Sequence, residues 1–508
     1  MKLITDSYRI NALLVILSLF FSIIFFNDQV AVRGGLIISK EIQYLDSISP
    51  LKFYFLNSWT LITQLSAVFL KIGFSTKIVS FILVFLLTTI LFFSCFYLLN
   101  KFIKNYYLSL SLTIFLIFFQ KNLGDTDYPS LIFTIHTFGA YAQALVGLIF
   151  TCLILNKLRL SIFFSFLLLT IHPIVGCWVL SIIIFLSLIL NKFKNFTEFS
   201  KAVLPGFILL IVSISIFFYL KIESFSYDKE LFDLYINKWD GHRAKTGEIH
   251  YNYVVKSLIV LAIINFLITN KKENVFFLWF ANLLIPSSII VYLLFKFTSI
   301  GSFGILSTII PGRLMTTFTF IAWPITLALI YNKLGKKKYV NELFYILIIF
   351  YSVSHYKNFL TVKKNFITNE ILYFDKKRNQ EFHKLGEVQN TGNIITSENS
   401  AFNTLYISKK PALLIKSIDF LPYHPYLVNR VSEILQEIYG YDFQNPPLKY
   451  YPYLSDKFFK EIFERRELEE WKKIKIKFSA NYVVVPKNWK LKLNLFFSGK
   501  NFNIYKIN

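Results

Sequence analysis

Long apolar runs alternate along the chain with short charged connectors. Runs at 10–26, 78–99, 107–120, 137–155, 202–220, 253–269, 275–297, 313–331 and 340–356 are almost free of charge. A bilayer core is crossed by a helix of about 17–25 such residues. Another run, 161–190, is long for one helix and is interrupted by His172-Pro173. Proline removes a helical hydrogen bond and clashes with the preceding turn, so this run predicts two short helices meeting at the dipeptide. The total is about eleven transmembrane helices. Residues 53–72, FYFLNSWTLITQLSAVFLKI, scatter Asn57, Ser58, Thr60, Thr63, Gln64 and Ser66 among apolar positions. That mixture predicts an amphipathic helix lying at the membrane surface instead of a crossing.

Beyond residue 356 the pattern changes. Residues 357–508 are charged and contain no spanning run. Asn393–Thr396, Ala412–Ile415, Asn481–Pro486 and Phe502–Ile507 read as short strands, and Tyr426–Tyr439 and Ser455–Lys473 as amphipathic helices. Alternating strands and helices predict a small α/β domain. The expected fold is an α-helical polytopic membrane domain, 1–356, with a first loop at 27–77, followed by a C-terminal α/β domain, 357–508.

Charge then orients the helices. Lys2 and Arg9 precede the first run, which is followed by no small-residue cleavage site and reads as a first transmembrane helix with a cytoplasmic N-terminus. Lys101/Lys104, Lys157/Arg159, Lys192/Lys194, Lys271/Lys272 and Lys333/Lys336/Lys337/Lys338 then all fall on the cytoplasmic side, provided 53–72 does not cross. The same parity puts loops 27–77, 121–136, 221–252 and 298–312, the His172 tip and the C-terminal domain outside. Loop 221–252, which mixes charge with aromatics, reads as a polar lid or a pair of short helices.

Composition supports a membrane protein. The 508 residues are 55% hydrophobic and include 57 Phe, with a mean hydropathy of +0.52, more apolar surface than a soluble domain can hide. The net charge of +24 would suit nucleic acid, but the basic residues sit in connectors where they orient helices, so no nucleic-acid partner is expected. The three cysteines, Cys95, Cys152 and Cys177, lie inside apolar runs without metal-ligand spacing. No phosphate-binding glycine loop, nucleophile elbow or HExxH motif is present.

The outer side gathers polar groups at helix ends. Asp28 follows the first helix, with Arg33, Glu41 and Asp46 further along the same loop. Asp125 and Asp127 are spaced to offer hard oxygen ligands to a divalent cation, Mg or Mn, and equally to form a turn between Gly124 and Pro129. His136 begins the next helix, His172 marks the hairpin tip, and Arg313 opens a late helix with a group suited to phosphate. Ionisable groups at membrane depth are costly, so their clustering points to function.

FFNDQVAVRGG (25–35), the interfacial 53–72, LLLTIHPIVGCW (167–178) and PGRLMTTF (311–318) together resemble, by order of parts, the GT-C superfamily of integral-membrane glycosyltransferases. The resemblance covers residues 1–356. It implies a multi-pass protein of the bacterial cytoplasmic membrane that moves a sugar from a polyprenyl-phosphate-linked donor to a glycan, lipid or protein acceptor. An acidic residue of the first loop would be the base: Asp28 first, with Glu41 and Asp46 as rivals. Arg33, His136, His172 and Arg313 would bind substrate, and Asp125 and Asp127 a cation. Two other readings remain. One is a non-enzymatic translocase of lipid-linked saccharides or an envelope-assembly protein. The other is an oligosaccharide polymerase or ligase relying on Arg33, Arg243 and Arg313. The stretches 396–426 and 480–493 resemble the outer tail of bacterial multi-spanning proteins, which brings no activity with it.

Overall fold

The computed structural model describes residues 2–26, 28–45, 49–119, 137–224, 226–245, 249, 251–316, 319–335, 337, 339–354, 356, 360, 363–364, 379–389 and 391–508. The apolar runs form helices: α1 (Lys2–Ile24), α5 (Thr76–Ile103), α6 (Tyr106–Phe119), α7 (Phe138–Ile154), α8 (Leu158–Ile171), α9 (Pro173–Ile189), α10 (Phe196–Leu220), α12 (Tyr251–Leu267), α13 (Val275–Phe297), α14 (Pro311–Thr316), α15 (Thr319–Leu334) and α16 (Val340–Ser354). Among the described residues, four helical stretches are long and apolar enough to cross a membrane: Thr76–Ile103, Phe196–Leu220, Val275–Phe297 and Pro311–Leu334. The other apolar helices, α1 being counted over its apolar part Tyr8–Ile24, have 10–17 residues. At 1.5 Å per residue the longest of these reach about 25 Å, short of a hydrocarbon core of about 30 Å. Length alone therefore does not carry the expected eleven crossings.

The bundle is built around α5, which packs on α1, α6, α7 and α15. Small and hydroxylic residues allow close approach: Ser22 and Thr88 place their hydroxyls 2.6 Å apart between α1 and α5. The break between α8 and α9 falls at His172-Pro173, as the sequence predicts, and Gly176 makes the hairpin tight. A Cβ there would lie 2.2 Å from the Leu169 Cα. At one end Lys101 pairs with Glu273 at 3.0 Å and Asn332 donates to Thr269 Oγ1 at 3.3 Å, which brings three of the basic connectors together.

Two expectations for the first loop are corrected. The first loop is not loop throughout after Asp28: Val30–Ile38 is a helix, α2, with all but its first residue buried. Residues 53–72 are not one helix either. Pro50–Asn57 (α3) and Leu61–Lys71 (α4) meet at an angle of 104°. The turn at Ser58–Thr60 is extended backbone. Gly34 and Gly35 let α2 lie against α3 and α4, since a Cβ on Gly35 would stand 3.0 Å from the Ala67 amide nitrogen. Loop 221–252 contains α11 (Lys229–Leu234), which runs on into a π-helical turn, Tyr235–Trp239.

The C-terminal domain carries a four-stranded sheet, β1 (Asn393–Thr396), β2 (Ala480–Pro486), β3 (Asn494–Ser498) and β4 (Phe502–Lys506), in the order β1-β2-β4-β3. β1 and β2 are parallel and the other pairs antiparallel. Alternation along β2 sends Tyr482 and Val484 towards the helix Gln380–Glu387, and Val483 and Val485 into the main core. Ala412–Ile415 is not a strand; only Ala412 bridges to Ile394. The expected helix at 455–473 is divided into Asp456–Arg465 and Leu468–Phe478. One hydrophobic core runs without interruption from Leu14 in α1 to Ile507.

Candidate functional site

The C-terminal domain is seated on the end of the bundle where the first loop, loop 221–245 and loop 298–310 emerge. Tyr44 donates to the Ala412 carbonyl at 3.1 Å, Tyr235 to that of Ile418 at 3.1 Å, and Trp239 to that of Phe443 at 2.9 Å. The polar helix-end residues lie along this seam, in two groups.

The first group surrounds Asp28. Arg33, on α2, is only 6% exposed, and its guanidinium carbon lies 3.8 Å from the centre of the Phe402 ring. Its Nε has no hydrogen-bond partner among the described residues. Burial pushes its pKa down to about 10, opposed by Asp28 and Tyr406, so Arg33 is a cation at neutral pH. Phe402 and Tyr406 stand four residues apart on the helix Ala401–Tyr406 and share a face. The Tyr406 hydroxyl lies 2.9 Å from Ser80 Oγ, donates to the Thr76 carbonyl at 3.0 Å and hydrogen-bonds the Asp28 side chain. Burial and the Asp28 charge raise its pKa well above the phenol range, keeping it a neutral donor. Next door, Tyr141 at the start of α7 donates to Gln29 Oε1 at 3.3 Å.

The second group joins the hairpin tip to the C-terminal domain. Burial first, and Arg313 second, push His172 down to about 3. Tyr54 on α3 is electrostatically coupled to both Arg313 and Asp419, stacks on Phe420 at 5.2 Å and meets His424 edge-on at 5.5 Å. His424 itself bridges the domains: Nε2 lies 3.1 Å from Ser58 Oγ and Nδ1 3.0 Å from the Tyr426 hydroxyl, which accepts from Asn57 at 2.7 Å. Burial pushes His424 to about 3. A neutral imidazole of so low a basicity serves as a hydrogen-bond bridge and would be a poor general base for Ser58.

Asp28 lies within electrostatic reach of Arg33, and His172 within electrostatic reach of Arg313. Glu41 sits elsewhere, in an exposed pair with Lys409. Asp46, Asp125, Asp127 and His136 lie outside the described residues. Among the described residues no group of three or more His, Cys, Asp or Glu could hold a metal ion. Arg243 is fully buried against Asp240, with the Ser307 carbonyl as a second partner.

No protein-family model matches this chain, and neither does any curated protein sequence.

Sequence reading missed Phe402, Tyr406, Asp419 and His424. Each belongs to the C-terminal domain, and Phe402, Tyr406 and His424 meet residues more than half the chain away. The one local signal was the dense run of hydroxyls and aromatics in 396–426.

Proposed function

We propose that the protein is a membrane glycosyltransferase that moves a sugar from a polyprenyl-phosphate-linked donor to an envelope acceptor on the outer face of a bacterial cytoplasmic membrane. In this reading the chain crosses about eleven times, with the N-terminus cytoplasmic and the C-terminal domain outside. The observation that carries it is the buried cation Arg33, stacked on Phe402 and within electrostatic reach of Asp28. A carboxylate there would take the proton from the acceptor hydroxyl as it attacks the sugar. A guanidinium at Arg33, and another at Arg313 within electrostatic reach of His172, would offset the charge on the departing phosphate. No step is assigned to a cation.

Arg243 weighs against a polymerase or ligase working through three outer arginines, because its guanidinium is already engaged by Asp240 and Ser307. In isolated membranes supplied with a radiolabelled polyprenyl-phosphate sugar, Asp28→Asn is expected to lower transfer by about 10²–10⁴-fold, the usual contribution of a general base. Glu41→Gln is expected to leave it unchanged. Transfer that survives Asp28→Asn, Glu41→Gln and Asp46→Asn, each tested singly, sinks the reading.

A further inference from the structure

Helix α4 has its polar side turned the wrong way for a helix resting on a membrane surface. Thr63, Gln64 and Ser66 are buried against the bundle, whereas Leu65 and Val68, and Ile72 at the helix end, are exposed. A surface helix does the reverse, keeping its polar face in water and its apolar face in lipid. Lys71, one turn past Val68, is also exposed, and its long stem can carry the charge from an apolar level to the headgroups.

Hydrogen bonds to α10 set the level at which α4 lies. Asn57, the last residue of α3, accepts from the Ile222 amide at 2.8 Å, just past the end of α10. Gln64 is joined to Ser213 instead. Its Oε1 accepts from Ser213 Oγ at 3.0 Å and its Nε2 donates to the Ser213 carbonyl at 3.1 Å. Trp59 Nε1 donates to the same hydroxyl at 2.9 Å. Ser213 precedes Leu220, the last residue of α10, by about 10 Å of helix. Exposed Ile211, Val212 and Phe218 flank it, on a helix long and apolar enough to cross a membrane. Both ends of the segment are tied to the C-terminal domain. Ser58 Oγ lies 3.1 Å from His424 Nε2, and the Thr76 carbonyl, at the start of α5, accepts from Tyr406 at 3.0 Å. Between these two ties the chain goes down to the level of Ser213 and comes back.

We propose that α4 is a re-entrant helix immersed in the acyl-chain layer, entering and leaving on the side of the C-terminal domain, with Leu65, Val68 and Ile72 as a face against lipid hydrocarbon. The occupant is lipid because this face shares its level with the exposed apolar band of α10, to which α4 is bonded. Irregular backbone survives at membrane depth only where protein covers it, and Thr60, in the turn between α3 and α4, is buried. The buried polar side chains of α4 then find their partners inside the protein: Gln64 on Ser213, and Ser66 on the Ile62 carbonyl at 2.8 Å. The proposal holds whatever reaction the protein performs.

The test places the full-length protein in phospholipid nanodiscs, with a nitroxide at Leu65→Cys, Val68→Cys or Ile72→Cys. The background is Cys177→Ala, since Cys95 and Cys152 are buried. Collisions with oxygen, which concentrates in acyl chains, are compared with collisions with a water-soluble nickel chelate. Val212→Cys and Tyr219→Cys on α10 give the depth scale. The oxygen-to-chelate ratio at 65 is expected to match that at 212, and to fall through 68 to 72 towards that at 219. Chelate collisions prevailing at 65 and 68 would make α4 a surface helix, and few collisions with either probe would mean protein covers the face; each result overturns the proposal. A second measurement needs no substitution: an apolar diazirine is photolysed in the nanodiscs and its sites are mapped by mass spectrometry. Labelling at Leu65 and Val68 alongside Ile211 and Val212 is expected, and labelling confined to α10 overturns the proposal.

Discussion

The Arg33 guanidinium lies over the Phe402 ring, its central carbon 3.8 Å from the ring centre, and so joins the first loop to the C-terminal domain. An aromatic face attracts a cation most strongly where water is excluded, by about 2 kcal/mol. Phe402→Leu is therefore expected to lower stability by about 1–3 kcal/mol once lost packing is included, whereas Phe402→Trp keeps the contact. Thermal unfolding of the purified variants in detergent checks the order.

Asp240 and Arg243 form an ion pair with both side chains fully buried. Removing one partner leaves a charge without water or counter-charge. Asp240→Ala is expected to cost about 3–5 kcal/mol, and the double variant Asp240→Ala with Arg243→Met to recover most of it. A double-mutant cycle on thermal midpoints measures this. The exposed pair Lys409–Glu41 is the contrast: Lys409→Ala is expected to cost about 1 kcal/mol or less.

His424 and His172 are both held near 3, against an ordinary 6.5. As pH falls from about 6.5 towards 3, the unfolded chain binds protons at these positions that the folded chain refuses. Their contribution to stability is therefore complete above about pH 6.5 and shrinks below it, by up to about 1.4 kcal/mol per pH unit for each histidine. His424→Gln is expected to flatten part of the slope between pH 7.5 and 5 and leave the His172 share. Thermal midpoints across that range decide it; an unchanged slope contradicts the burial assigned to His424.

Gly176 faces the backbone of Leu169, where a Cβ would stand 2.2 Å from Cα. Main chain cannot move aside as a side-chain tip can. Gly176→Ala is thus expected to force α8 and α9 apart and cost several kcal/mol. The opening should appear as faster proteolysis at 170–175, the hairpin tip, and a variant as stable and as resistant as wild type would show that the hairpin is looser than described.

The helical part of the fold was legible because apolar runs leave little choice: each run expected between 10 and 356 contains a helix. The hairpin at His172-Pro173 was legible because proline punctuates locally. α2 was not. VAVRGGLII carries an arginine and two glycines, which read as loop until the close packing of Gly34 and Gly35 on α3 and α4 explains them. β3, NLFFS, is an edge strand largely exposed to solvent, so it lacks the buried run that marks β2. Ala412–Ile415 has that run and is not a strand; its apolar residues are buried by packing, with a single bridge at Ala412. In the candidate site, Asp28, His172 and Arg313 stood out as polar groups at helix ends, and Arg33 as a charge in the first loop. Tyr406 and Phe402 did not, since nothing near them in sequence announces contact with residues 28–80.

The contact between Arg33 and Phe402 also bears on how the protein is made. A ribosome adds about 5–20 residues per second, so on the order of tens of seconds separate the emergence of Arg33 from that of Phe402. Throughout that interval the first loop carries its cation without the ring that later covers it. A nascent chain in this condition exposes a charged, half-packed surface, and whatever attends its biogenesis must tolerate or shield that surface until the last quarter of the polypeptide arrives.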